Sequence, residues 1–298
     1  MALAANARGP VERWLTRHVQ AAQWQRMNIA GKLRYAFRAS RKSSSIAVSP
    51  LAGSLFFLVP QRVSTWLQSA CHYRYRNLEF FARQIDWGPV DQVLLGREYG
   101  FAESLLQGCP QPRIVDLGAN IGAFALAMFD MNPSATIYSV EASPKVFEML
   151  QRNRRANPGL DWHIFHFAMW ISTGQVRFQP GKDSGAVDTV SQDGPEILNS
   201  ISLQQFLDDH VPGNIDLLKM DIDGAEEGVL SSSGETLKRV EQMVLQIHPG
   251  VVDVERVYCL LQEEFNFLYR VPDTVPPNPL IVATRKPQGP PLEGFWAR

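Results

Sequence analysis

The segment Asp116-Leu-Gly118-Ala-Asn120-Ile-Gly122 joins a short apolar run to a helical pattern, and its residue types suit a nucleotide-like ligand. Glycines at such a turn let ligand atoms approach the backbone without meeting a Cβ atom. Glu141 follows the next apolar run, nineteen residues after Gly122. A carboxylate at that place accepts hydrogen bonds from the two hydroxyls of a ribose, so the pattern predicts a ligand that contains one.

The spacing of the glycines indicates which nucleotide is bound. A dinucleotide site has the pattern GxGxxG, whereas this turn lacks the third glycine that clears the helix N-terminus for a pyrophosphate. Asp116 would repel a diphosphate but would suit an ammonium group. S-adenosylmethionine has that ammonium, a ribose diol and no phosphate, so we predict it as the cofactor. An NAD-dependent oxidoreductase is the alternative, and cofactor identity separates the two.

A second set of polar residues follows two later apolar runs. Asp221 and Asp223 come after the run at 215–220, and His248 comes after the run at 243–247. Methyl transfer from this cofactor needs an aligned acceptor and, where the acceptor is a hydroxyl, a group that takes its proton, so we predict Asp221 and His248 as catalytic. Two alternatives stay open, because Asp223 also suits a helix N-cap and a lone histidine also suits a structural role. Two ligands do not make a metal site, so no metal is predicted.

Short apolar runs alternate with helical patterns from about residue 111. The predicted strands are 113–117, 136–140, 162–168, 215–220, 243–247, 267–271 and 280–284, and the predicted helices are 124–131, 144–156, 202–209, 224–230 and 254–265. Such alternation with short connections predicts a parallel sheet with helices on both faces. The last two strands are expected to pair as an antiparallel hairpin.

Three segments together resemble the FkbM family of class I S-adenosylmethionine-dependent methyltransferases. They are IVDLGANIGAFALAMF, VEASP at Val140–Pro144 and LLKMDIDGAEEGVL at Leu217–Leu230. The resemblance covers roughly residues 95–284. It implies a Rossmann-like, doubly wound, seven-stranded and mostly parallel sheet with a reversed last hairpin. It also implies methyl transfer to a hydroxyl of a sugar, glycoside or polyketide-type metabolite.

The same resemblance assigns roles to residues of the site. It implies that Asp116, Gly118, Asn120 and Gly122 surround the methionine moiety of the cofactor, that Glu141 binds the ribose and that adenine lies near Ala168. The family often has Glu-x-His at the end of the fifth strand. This chain has Gln246-Ile-His248 there, which leaves a role for that carboxylate unsupported.

Residues 1–95 are expected to form a mostly helical extension, with helical periods at 32–42 and 63–85 and a break at Ser43–Ser45. Residues 96–286 are the predicted methyltransferase domain, and the Pro/Gly-rich residues 287–298 are a predicted flexible tail. Residues 1–42 hold nine Lys/Arg and one acid in a chain of net charge −1. Such a basic head makes peripheral contact with an anionic membrane or packs against the acidic remainder, and the sequence leaves both open.

Composition excludes several classes of protein. The 298 residues are 45% apolar and 20% charged, which excludes a disordered chain and a disulfide-knit miniprotein. The three cysteines form no CxxC pair, and the longest apolar run, Leu51–Val59, is too short to cross a bilayer. We therefore predict a soluble, cytoplasmic protein. The family resemblance implies a small-molecule or glycoside acceptor, and the lack of an Asn/Asp-Pro-Pro-Tyr/Phe motif after the run at 215–220 argues against a nucleic-acid partner. A catalytically silent cofactor-binding protein tethered by its basic N-terminus is a further alternative.

Overall fold

The computed structural model describes residues 29–56, 70–179, 189–190, 194–272, 278–289 and 292–297. Residues 1–28, which hold much of the predicted basic head, lie outside this part of the chain. Within the described residues, no helix combines the length and the apolar character needed to span a bilayer.

A large sheet positions the residues predicted from the sequence. Its strands are Arg113–Leu117 (β3), Thr136–Glu141 (β4), Asp161–His166 (β5), Leu217–Met220 (β10), Gln242–Gln246 (β11), Phe267–Arg270 (β12), Leu280–Thr284 (β13) and Glu293–Ala297 (β14). The strand order is β14-β12-β13-β11-β10-β3-β4-β5. Strands β5, β4, β3, β10 and β11 run parallel, and β13, β12 and β14 are added antiparallel.

The predicted doubly wound fold is confirmed. Phe267 pairs with Thr284 in the reversed hairpin that the sequence indicates. The sheet differs from the expected seven strands by one, because β14 pairs with the outer edge of β12. That strand comes from 287–298, the segment predicted as a flexible tail.

Helices cover both faces of the sheet. The described α-helices of four or more residues are Ile29–Ile46 (α1), Pro50–Phe56 (α2), Ala102–Leu105 (α3), Ala123–Met131 (α4), Pro144–Ala156 (α5), Leu203–His210 (α6), Glu226–Ser233 (α7) and Val254–Glu264 (α8). Because side chains alternate along a strand, neighbouring residues of β3 enter different cores. Ile114 belongs to the cluster that includes Phe124 of α4, and Val115 belongs to the cluster that includes Leu261 of α8.

A β-hairpin stands where part of a helix was expected. Strands Cys71–Tyr75 (β1) and Leu78–Ala82 (β2) pair antiparallel, so the helical prediction for 63–85 is wrong over 71–82. The buried residues alternate, with Tyr73 and Phe80 fully buried, and this period of two is that of a half-buried strand. Arg76, with a φ of 53°, lies in the two-residue connection.

Helix α1 runs through the predicted break at Ser43–Ser45 and ends at Ile46. Ser43 is fully buried, and its Oγ lies 2.9 Å from the hydroxyl of Tyr73. A tertiary contact therefore holds this turn in a helix that the serine run alone does not favour.

Asn153 of α5 and Asn157, which directly follows α5, dock the hairpin onto the domain. Asn153 accepts from the N–H of Phe81 at 2.6 Å and donates to its carbonyl at 3.1 Å. Asn157 makes the same pair of bonds with the backbone of Glu79 at 3.1 and 2.7 Å. Asn153 also donates to the carbonyl of Ile121 at 2.8 Å, so one side chain joins the hairpin to the glycine turn.

A smaller sheet lies beyond the end of β5. Its strands are Ala168–Met169 (β6), Gly174–Gln179 (β7), Thr189–Val190 (β8) and Glu196–Ile201 (β9), in the order β6-β9-β7-β8. The predicted strand 162–168 is thus divided between two sheets, with Ala168 beginning β6.

Candidate active site

The turn after β3 is built around two glycines. Gly118 has a φ of 76°, and a Cβ atom there would lie 1.8 Å from the carbonyl oxygen of Asp221. Gly122 has a φ of 91°, and its Cβ would lie 2.6 Å from the Trp162 ring. Contacts within the protein therefore require both glycines, in addition to any approach of a ligand to the backbone.

Glu141 ends β4 beside this turn and is largely buried. One carboxylate oxygen accepts from the N–H of Asn120 at 2.8 Å, and the other accepts from the N–H of Ser143 at 2.8 Å. Asn120 adopts a φ of 51°, and this left-handed conformation belongs to the turn that meets Glu141. These two bonds fix the orientation of the carboxylate at the end of β4.

Asp116 is fully buried and already has a cationic neighbour. Lys219 lies opposite it on β10, with its Nζ 3.2 Å from Asp116 and 3.8 Å from Asp221. Lys219 also donates to the carbonyl of Gly118 at 2.7 Å. Burial alone lowers the pKa of Lys219, but the charges of Asp116 and Asp221 raise it above its ordinary value. The charged lysine therefore joins the ends of β3 and β10.

Ala168 lies at the far side of the turn that carries Glu141. It is buried in a small apolar cluster with Phe178 and Leu198, and Ala142 packs against that cluster. This position, next to the residue that follows Glu141, is the one expected for a wall of the adenine pocket.

Three acidic side chains surround His248 at the ends of β10 and β11. The imidazole is almost fully buried, and its Nδ1 lies 2.8 Å from Oε1 of Glu226. Its Nε2 faces Oδ1 of Asp221 at 3.7 Å and Oδ1 of Asp223 at 3.6 Å. The structure thus brings the two predicted catalytic residues together and adds Asp223 and Glu226.

These contacts set the charge of the cluster. Burial alone lowers the pKa of His248, but the hydrogen bond and charge of Glu226, with the charges of Asp221 and Asp223, raise it to about 9. Burial alone raises the pKa of Glu226, yet the contact with His248 leaves it lowered overall. An imidazolium and a carboxylate therefore form a buried ion pair at neutral pH.

Asp223 does not cap α7. The N-cap position is Ala225, and the side chain of Glu226 accepts from the N–H groups of Ile222 and Gly224 at 3.2 and 3.1 Å. Asp223 has a φ of 53°, which places it in a tight turn that faces His248.

Gln246 occupies the place where the family often has a glutamate. With its amide nitrogen turned toward Asp221, it donates to the two carboxylate oxygens at 3.0 and 3.3 Å. The Gln246 amide thus donates hydrogen bonds to Asp221, whereas a glutamate at position 246 would repel the Asp221 carboxylate.

A cation site also needs to be considered. Asp221, Glu226 and His248 offer ligand atoms that all lie within 4.8 Å of one another. The same side chains include the ion pair of His248 with Glu226. The absence of a metal stays a prediction.

Sequence reasoning missed several residues of this region. Lys219 carried a signal, because it is a charge inside an otherwise apolar strand. Glu226 was expected only in the first turn of a helix. Glu98 carried no motif, but it lies close enough to Asp221 that burial and this second carboxylate raise its pKa.

A class I methyltransferase fold is defined by the strand order, the reversed hairpin and a carboxylate at the end of β4. The family model described as the methyltransferase FkbM domain matches residues 116–269, more than half of the chain. The chain belongs to the FkbM methyltransferase family.

Curated relatives are similar at modest identity. The hexuronic acid methyltransferase AglP of Haloferax volcanii is 27% identical over 149 residues, which are 50% of this chain and 60% of AglP. The 2-O-methyltransferase NoeI of Sinorhizobium fredii is 23% identical over 200 residues, covering 59% of this chain and 81% of NoeI. The chain thus spans less than two thirds of the length of AglP.

Among solved structures, the fibrillarin of Aeropyrum pernix with natively bound S-adenosyl-L-methionine is similar at 17% identity. The match has a TM-score of 0.38 and covers 62% of this chain and 74% of the fibrillarin chain.

Proposed function

We propose that the protein transfers a methyl group from S-adenosylmethionine to a hydroxyl of a sugar, a glycoside or a polyketide-type metabolite. The observation that carries this proposal is the placement of His248, Asp221 and Asp223 at the same edge of the sheet as Glu141 and the glycine turn. In doubly wound folds, ligands bind at this edge, beyond the carboxyl ends of the strands. Similarity to the hexuronic acid methyltransferase AglP supports a sugar as acceptor, and similarity to the 2-O-methyltransferase NoeI supports transfer to an oxygen.

The residues at the turn suit the chemical groups of the cofactor. Glu141 brings a carboxylate to the end of β4, where we expect the ribose to bind, and we expect adenine near Ala168. Lys219 is bound to the Gly118 carbonyl and holds the turn against β10. When bound, S-adenosylmethionine supplies a methyl group that its sulfonium already activates. The protein's own task is to align the acceptor and to take its proton.

His248 is suited to take that proton at Nε2. In the neutral ring Nδ1 donates to Glu226, so the lone pair on Nε2 faces the side where Asp221 and Asp223 lie. Once protonated, the ring is stabilised by the three carboxylates. Asp221, held by Gln246, is placed to orient the acceptor hydroxyl.

The test is to incubate the protein with isotopically labelled S-adenosylmethionine and a panel of methyl glycosides, including hexuronic acids, and to analyse the products by mass spectrometry. We expect label in an ether that resists mild base, since a methyl ester would be cleaved. His248→Asn should lower turnover about 10²–10⁴-fold. His163→Asn, at a histidine of β5 paired with Asp161, is the matched control and should leave turnover unchanged.

Two results would contradict the proposal. Calorimetric binding of NAD without binding of S-adenosylhomocysteine would favour an oxidoreductase. Binding of S-adenosylhomocysteine without labelling of any hydroxyl in the panel or in cell extracts would favour a catalytically silent protein.

A further inference from the structure

The two sides of α1 differ sharply in character. Ala39 and Ser43 are buried and turn toward the hairpin, where Ser43 contacts Tyr73. On the opposite side, positions repeat at intervals of three and four residues and border a surface cavity of about 500 Å³. These residues, called the outer face below, are Arg34, Phe37, Arg38, Arg41, Lys42 and Ser45.

Among the described residues, the positive charge of the outer face has few acidic partners. Arg34, Arg38 and Arg41 are exposed, and none of them forms an ion pair within the part of the chain that the structure describes. Lys42 differs, because it pairs with Asp91 and thereby ties α1 to the domain. The three arginines therefore project from a helix that Ser43 and Lys42 fix to the rest of the protein.

Exposed apolar side chains accompany these charges. Phe37, on the outer face, is 67% exposed, and Leu51, at the start of α2, is 70% exposed. Tyr35 and Val48 are also exposed. Large apolar groups next to arginines are typical of helices that lie in the headgroup region of a membrane. A nucleic acid would use the arginines, but it gives no reason to expose Leu51 and Val48.

We infer that the outer face of α1, together with Leu51, docks on an anionic phospholipid surface. The arginines are attracted to lipid phosphates and anionic headgroups, and Phe37 and Leu51 enter the boundary with the acyl chains. This surface goes beyond the proposed methyl transfer and stands on different residues. It also assigns membrane contact to one part of the predicted basic head, residues 29–42, and to the turn that follows α1.

The experiment measures flotation of the full chain with vesicles of phosphatidylcholine alone and with vesicles that contain 30% phosphatidylglycerol. We expect binding only to the anionic vesicles, and weaker binding at high salt because salt screens exposed charges. The triple variant Arg34→Gln, Arg38→Gln, Arg41→Gln should bind roughly a hundredfold more weakly, at about fivefold for each arginine. Phe37→Ser with Leu51→Ser should also weaken binding.

The matched control removes the same charge elsewhere, as Arg155→Gln, Arg256→Gln and Arg270→Gln, at three exposed arginines of other surfaces. It should bind as the unaltered protein does. Circular dichroism and S-adenosylhomocysteine affinity show that each variant is folded. If the triple variant fails to fold, two other measurements still test the proposal. They are the dependence of binding by the unaltered protein on lipid charge and salt, and the binding of the Phe37→Ser, Leu51→Ser variant. Equal binding by all variants, no binding to anionic vesicles, or binding to RNA alone would overturn the proposal.

Discussion

His248 is the residue on which the proposed chemistry depends most, because both of its ring nitrogens face carboxylates. With a pKa of about 9, most of the imidazole is protonated at pH 7. Only the neutral ring accepts a proton from a hydroxyl. We therefore expect turnover to rise with pH up to about 9.

Glu226 provides the test of that assignment. Glu226→Gln removes the charge that most favours the imidazolium, so the pKa of His248 should fall and the rising limb of the pH profile should move to lower pH. Nuclear magnetic resonance of the His248 ring measures this pKa without an acceptor. A ring that titrates at the same pH in both proteins, or a flat rate from pH 6 to 10, would count against the assignment.

Glu141→Ala should weaken S-adenosylhomocysteine binding by about 1.5–3 kcal/mol, the range for hydrogen bonds to a charged group. The carboxylate loses its bonds to the ribose and also releases the N–H groups of Asn120 and Ser143. Calorimetry measures the affinity, and Glu148→Ala, at an exposed glutamate of α5, is the control. Equal affinity in Glu141→Ala and the unaltered protein would remove Glu141 from the ribose site.

The residue types and spacing predicted a site at the ends of β3, β4, β10 and β11, and the structure brings Asp221 and His248 together there. The residue types and spacing could not predict the ion pair that Asp116 forms with Lys219. That contact depends on the register of β10 against β3, which places Lys219 opposite Asp116. The expected partner of Asp116 was a ligand ammonium, whereas the structure supplies a lysine. A role for Asp116 toward the cofactor stays a prediction.

At the scale of elements, the turn after β3 tolerates little change. Gly118→Ala would place a Cβ atom 1.8 Å from a backbone oxygen at a φ that side chains disfavour. We expect the free energy of unfolding to fall by about 4 kcal/mol or more and cofactor binding to be lost. Gly159→Ala is the control, because no heavy atom lies within 4 Å of its Cβ. Urea unfolding of the two variants makes the comparison, and equal stability would contradict the close packing of Gly118 on Asp221.

The hairpin depends on Asn153 of α5 and on Asn157, which follows α5. Asn153→Ala should destabilise the protein by about 1–3 kcal/mol, because it leaves buried backbone groups of Phe81 and Ile121 without a partner. Arg155→Ala, at an exposed position of the same helix, should change stability little. Thermal unfolding distinguishes the two, and similar values would mean that the hydrogen bonds of Asn153 contribute little to holding the hairpin.

The sequence predicted the helices and the large-sheet strands from 113 to 284 well, because each has a clear period or a terminal signal such as Pro144. It did not predict β8 and β9 of the smaller sheet. It failed for the hairpin, whose aromatic residues fit a helical period as well as an alternating one. The choice between them is made by tertiary contacts, with Phe80 in the core and β2 against α5. Strand β14 was missed because the Pro/Gly content of its surroundings favours a loop.

At the scale of the whole molecule, residues on both sides of the predicted boundary at 95 share one hydrophobic core. Tyr73, Phe80 and Trp87 belong to the same cluster as Phe124 and Phe129. Because these side chains bury one another, we expect the hairpin and the sheet to unfold together. The part of the predicted extension that precedes the hairpin is joined to this core through Ser43 and Lys42.

The buried ion pair of His248 and Glu226 should make the stability of the whole molecule depend on pH. The folded-state pKa of His248, about 9, exceeds the value of about 6.5 in an unfolded chain. The contribution of His248 to the free energy of unfolding is about 3 kcal/mol. It is complete below about pH 6.5, decreases as the pH rises and is lost above about pH 9. Urea unfolding from pH 6 to 10 measures this dependence. His248→Asn is measured alongside, because the difference between the two proteins removes the titration of other groups. That difference should shrink steadily between pH 6.5 and 9, and a constant difference would mean that His248 is neutral in the folded protein.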